Sequence, residues 1–167
     1  MKHMPQASQV ASCTGGRTRR RGAATVELAL VAPLIVFLLF SIIEIGFMVK
    51  NRADLGHAAR EAARLAAVGA TPTRMTEAVN TNLTTIHDEN VTPEYQFRSW
   101  DEDTQSWGAW TTLGVLDGGN NAAPGDQIRV RLGHDHALIL PGIMGPVLNA
   151  DASGRVNLVA SSVMMRE

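Results

Sequence analysis

One cysteine, Cys13, is all that the 167 residues offer. No disulfide can close within the chain, and a structural zinc site built from thiolates is excluded. Aromatic side chains are scarce as well, at four Phe, three Trp and one Tyr. Yet 45% of the residues are hydrophobic, too many for a disordered chain, and the length suits one modest domain rather than two. Acidic side chains are missing from residues 1–22, which hold Lys2, Arg17, Arg19, Arg20 and Arg21. Basic ones are thin in residues 65–167, where six face twelve acids. Phosphate tracking needs Lys and Arg on the contacting face, so this acidic body is not expected to bind nucleic acid.

Charge is also nearly absent from Leu28 to Val49, which reads LALVAPLIVFLLFSIIEIGFMV with Glu44 as its one ionisable group. At 1.5 Å per residue the run spans about 33 Å, close to the hydrocarbon thickness of a bilayer. A core helix with no polar face would need a larger protein around it than this chain supplies. The dense arginine cluster before the run predicts a cytoplasmic N-terminus, with the acidic body exported through a cell (inner) membrane. A cleavable secretory signal fits poorly, because the run is long, contains Pro33 and is followed by Met48, Val49, Lys50, Asn51 and Arg52 rather than a small-residue site. A lipoprotein box at Val10–Cys13 fits worse, since no apolar run precedes it.

The junction RRRGAATVEL sets a glycine, Gly22, at the end of the basic leader and a lone carboxylate, Glu27, at the start of the apolar helix. It resembles the processing site of type IV pilin-like precursors. The longer string GAATVELALVAPLIVFLLFSIIEIGFMVKNRADLGHAAREAARLAA is similar to the TadE-like family, minor pilin-like proteins of tight-adherence (Flp-type) pilus systems. The resemblance implies cleavage between Gly22 and Ala23 by a prepilin peptidase, and assembly with other pilin subunits through the N-terminal helix. Physically, Gly22 has no Cβ to obstruct a peptidase, and Arg17, Arg19, Arg20 and Arg21 fix the topology. A carboxylate in lipid usually has a named partner. For Glu27 the partner is the new Ala23 amine, in the same chain or a neighbouring subunit, or else an interfacial arginine, Arg20 or Arg21. Glu44, too far along the helix to share that site, reads as an interfacial or subunit-facing carboxylate.

Beyond Val49 the helical pattern continues. Lys50, Asp54, His57, Glu61 and Arg64 form a polar stripe, and Leu55, Ala59, Ala62 and Ala66 an apolar one. Gly69 is a natural stop, so a helix from about Ala24 to Val68 is predicted, roughly 68 Å long. A small-residue stripe, Gly56, Ala59, Ala63 and Ala66 or Ala67, predicts close packing on the exported body or on a neighbouring stem. Thr71 and Pro72 read as an N-cap and first residue of a second helix with Met75, Val79, Leu83 and Ile86 on one face. Strands are expected at Tyr95 and Phe97, at Trp107–Leu113, at Ile128–Leu132, at Ala137–Leu140 and at Val156–Ala160. Turns are expected at 117–121 and 124–126, and another at Pro141–Pro146. The predicted class is α+β: a leader (1–22), a transmembrane helix (23–49), a helical stem (50–69) and a small head (70–167) with an antiparallel sheet.

No enzyme constellation is recognisable, and neither a cofactor nor a metal is expected. His134 and His136 flank Asp135 but read as a solvated strand end. Asp101, Glu102 and Asp103 lack the glycine and distal glutamate of a calcium loop. Ser161 and Ser162 have no nearby base. Trp100, Trp107 and Trp110 are expected in the core. Two functions compete: a pilus-assembly subunit trimmed after Gly22, and an uncleaved single-pass protein whose acidic head binds an extracellular partner or ion.

Overall fold

The computed structural model describes residues 18–84, 86 and 91–167, with side chains from residue 22 onward. Cys13 and Arg17 lie outside the described residues. The backbone of Arg19, Arg20 and Arg21 belongs to helix α1, Thr18–Ala67. The helix thus begins before Ala24 and runs through Gly22: arginine is a good helix former, and one interior glycine costs only about 1 kcal/mol. At its far end Gly69 adopts φ +89°. Gly69 N donates to Ala66 O and Ala70 N to Leu65 O, which is a Schellman ending.

Tertiary contacts divide the chain after Leu39. Residues 40–167 form one unit, so the stem and the last stretch of the apolar run pack with the head. Helix α2, Pro72–Asn82, starts as its sequence predicts: Thr71 is extended and its Oγ1 accepts from Arg74 N. Met75 and Val79 are buried; Leu83 closes the helix and Ile86 is buried beyond it.

The main strands are β1 (Val91–Arg98), β7 (Gln127–Ala137) and β8 (Arg155–Met165). With the short β4 (Thr111–Thr112) they form an antiparallel sheet in the order β4-β1-β7-β8. Alternation in β7 sends Ile128, Val130 and Leu132 into the core, where they join Leu55, Ala58, Ala59, Ala62, Ala63 and Ala66 of α1. The small-residue stripe therefore packs on the chain's own head.

Between β1 and β7 lie two small hairpins, β2 (Trp100–Asp101) with β3 (Ser106–Trp107) and β5 (Val115–Leu116) with β6 (Gly119–Asn120). Asp117 and Gly118 both have positive φ, the geometry of a two-residue Asp-Gly turn. The expected strand Trp107–Leu113 is broken into β3 and β4. The expected strand at Ala137–Leu140 is also absent beyond Ala137, and the expected turn after it is a helix, α3 (Pro141–Leu148). Proline is compatible with a first helical turn, and Asn149, at φ 54°, ends the helix.

The tryptophans are not core residues. Trp100 is exposed, and Trp107 and Trp110 are half-buried. Trp100 meets Trp107 edge-on across the β2–β3 hairpin at 5.3 Å. Arg98 lies over Trp107 and Trp110, and Arg129 over Trp110 at 4.2 Å. Their guanidiniums also donate to Gln127 and Gln96 respectively. The indoles thus stack on arginine guanidiniums, while the core beside α1 is filled by Leu, Ile, Val, Met and Ala.

Candidate functional site

Two carboxylates stand on α1, and the structure treats them differently. Gly22, Ala23 and Glu27 are exposed, as are the large apolar side chains around them. Among the described residues Glu27 makes no hydrogen bond or ion pair. Its helical surroundings offer Leu28, Leu30 and Val31, which cannot solvate a carboxylate.

Glu44 is instead buried inside the chain, which corrects the expectation of a subunit-facing group. Its Oε1 lies 3.0 Å from His136 Nε2, and its Oε2 accepts the Ile139 N–H at 2.8 Å. On the other side of the imidazole, Asn51 Nδ2 lies 3.2 Å from Nδ1. The imidazole thus bridges two side chains of α1, with Nε2 facing the carboxylate and Nδ1 the Asn51 amide. The oxygen Oδ1 of Asn51 is buried without a hydrogen-bond partner. His136 is thus not a solvated strand end: it clamps two residues seven positions, about two turns, apart on α1.

Two signals in the sequence point to this network. Counting in twos from Ile128 carries the inward parity of β7 through Val130 and Leu132 to His134 and His136. Counting back from Leu55 by four and three along α1 reaches Asn51, Met48 and Glu44 on the seam that meets the sheet. Polar residues at inward positions of both elements must meet partners.

Elsewhere in the head, polar bonds are structural. Asn120 Nδ2 donates to Ala66 O and Ala70 O, and Arg166 Nη1 to Ala67 O, satisfying carbonyls at and just past the end of α1. Tyr95 OH pairs with Thr76 Oγ1 at 2.9 Å, and burial pushes its phenol above the ordinary range although that bond opposes the shift. Among the described residues no three His, Cys, Asp or Glu side chains gather as a metal site.

A helix long and apolar enough to cross a membrane, Gly22–Ala67, with a small α+β head at its far end describes a single-pass membrane protein. Residues 22–64 match the family described as TadE: TadE-like protein, the same stretch on which the sequence resemblance rests. A TadE-like segment points to a role in Tad pilus systems. No curated protein and no solved structure matches the chain.

Proposed function

We propose that the protein is a TadE-like minor pilin (pseudopilin) subunit that serves the assembly of a tight-adherence, Flp-type pilus by helix packing and subunit insertion, not by catalysis. The observation that carries the reading is the TadE-like match falling on a helix whose first half is an exposed apolar surface with one bare carboxylate, Glu27. In this reading the leader stays in the cytoplasm, held by Arg17, Arg19, Arg20 and Arg21, and the head is exported from the inner membrane. A prepilin peptidase cuts between Gly22 and Ala23. Because both residues lie within α1, the cut requires local unwinding, which a weak helix former such as Gly22 eases. The freed Ala23 amine then pairs with Glu27 within the chain or across to a neighbouring subunit. Glu44 takes no part in that surface, since its oxygens are already bonded to the head.

Mass spectrometry of the mature chain tests the cut: an N-terminus at Ala23 is expected, and an intact leader favours the uncleaved single-pass alternative. In the variant Glu27→Ala cleavage should persist while recovery in pilus or assembly-complex fractions falls. Normal assembly of that variant would remove Glu27 from the insertion step.

A further inference from the structure

From Ala137 to Ala150 the chain has no charged side chain. Helix α3 sits within this segment and turns Met144 inward, where Ser41 Oγ donates to its sulfur at 3.5 Å. The residues before it deliver the Ile139 N–H to Glu44. The outer side is apolar and bare: Ile139, Ile143 and Val147 are 49%, 56% and 77% exposed. Ile143 and Val147, four apart, share one face of α3, and Ile139 is exposed just before the helix. Beside it an apolar cleft of about 320 Å³ separates Ile45, Met48 and Val49 of α1 from Leu148 and Leu158, with Arg52 at its lining. Exposed Ile42, Ile45 and Val49 extend the apolar surface along α1.

A hydrocarbon layer about 30 Å thick takes about 20 helical residues. A span that opens between Gly22 and Leu28 therefore ends between about residues 42 and 48, the stretch of α1 that meets Met144 and Leu148. We propose that α3 is an interfacial membrane helix, with Ile139, Ile143 and Val147 seated at the boundary between lipid headgroups and acyl chains. Lipid is the occupant because the uncharged segment 137–150 lies across an apolar cleft from Ile45 and Val49, which are exposed on the same helix that carries the apolar span. Arg52, just beyond the stretch where the span ends, stands on the side where anionic phosphates attract a guanidinium. The placement also accounts for Glu44. At the dry edge of the bilayer a carboxylate needs partners, and the segment that dips beside α3 brings them. The inference requires that α1 cross the bilayer but not that the protein serve a pilus.

Nitroxide labels on the full chain test it. In a Cys13→Ser background, cysteines are introduced singly as Ile143→Cys, Val147→Cys, Leu38→Cys and Val115→Cys, labelled, and reconstituted into phosphatidylethanolamine–phosphatidylglycerol vesicles. Collision rates with oxygen and with a water-soluble nickel chelate are then compared. Labels at 143 and 147 should favour oxygen over nickel several-fold more than the label at 115 in the β5–β6 hairpin. Nickel access at 143 and 147 equal to that at 115, with 38 oxygen-rich, would overturn the proposal while leaving the span intact. Low access to both reagents at 143 and 147 would overturn it in favour of a protein occupant. Nickel access at 38 would overturn the span and the proposal together.

Discussion

The two halves of α1 contrast in what covers them. From Gly22 to Ile43 the helix carries Leu, Ile, Val and Phe, and most are exposed, Leu34 at 66% and Leu38 at 59%. From Glu44 to Ala67 the buried face is mostly alanine, with Ala58, Ala59, Ala62, Ala63 and Ala66 fully covered. The difference lies in size rather than polarity. Large side chains suit a fluid lipid surround that imposes no fixed neighbour, whereas the small ones are fully covered within the head's core. The carboxylates divide in the same way: Glu27 is bare, and Glu44 is held by His136 and Ile139.

That contrast is open to attack. Glu44→Ala should have the largest effect, because it strands His136 Nε2 and the Ile139 N–H in a buried site, at about 1–3 kcal/mol for each group. Thermal unfolding of the purified chain in detergent should show a clear drop in Tm, while Glu27→Ala leaves Tm unchanged. Equal Tm values for the two variants would mean that the Glu44 network holds nothing together. A smaller effect is expected from Ala63→Leu, which forces methyl groups into a filled interface at about 1–3 kcal/mol. Leu38→Ala, in the exposed half, should leave denaturant unfolding of the head where it was. A head that tolerates Ala63→Leu as easily would contradict close packing on α1.

How legible this was in the sequence varies with the kind of signal. The apolar run, the Gly69 stop, the Thr71 cap and the alternation of Ile128, Val130 and Leu132 are local patterns, and each predicts an element that the structure contains. The helix α3 was hidden because Pro141, Gly142, Gly145 and Pro146 read as punctuation, although proline and glycine in a short helix with Met144 turned inward are tolerated when the core anchors it. The tryptophans were misplaced because scarcity of Phe argued for indoles inside, whereas Leu, Ile, Val, Met and Ala fill the core and the indoles stack on Arg98 and Arg129. The pairing of Glu44 with His136 depends on which faces of α1 and β7 meet, a property of the fold that neither segment states alone.

Within the head, an exposed carboxylate offers a finer version of the same contrast. Asp151, in the turn between α3 and β8, accepts from Arg155 N at 2.8 Å, from Ser153 Oγ and from Ser153 N, both at 2.9 Å. The Arg155 amide foremost, then the Ser153 hydroxyl, hold its carboxyl below the ordinary range, and slight desolvation opposes them. A depressed folded value means that the ionised clasp contributes fully above the unfolded carboxyl value of about 3.9 and is lost as pH falls through the lower, folded one. Asp151 is fully exposed, so the loss should stay local. Amide exchange at Ser153 and Arg155, corrected for the intrinsic pH dependence, should accelerate in that acid window and stay flat in Asp151→Asn. Protection that does not change across the window would show that the β7–β8 ladder, rather than the carboxylate, keeps the turn closed, and that α3 needs no clasp at its exit.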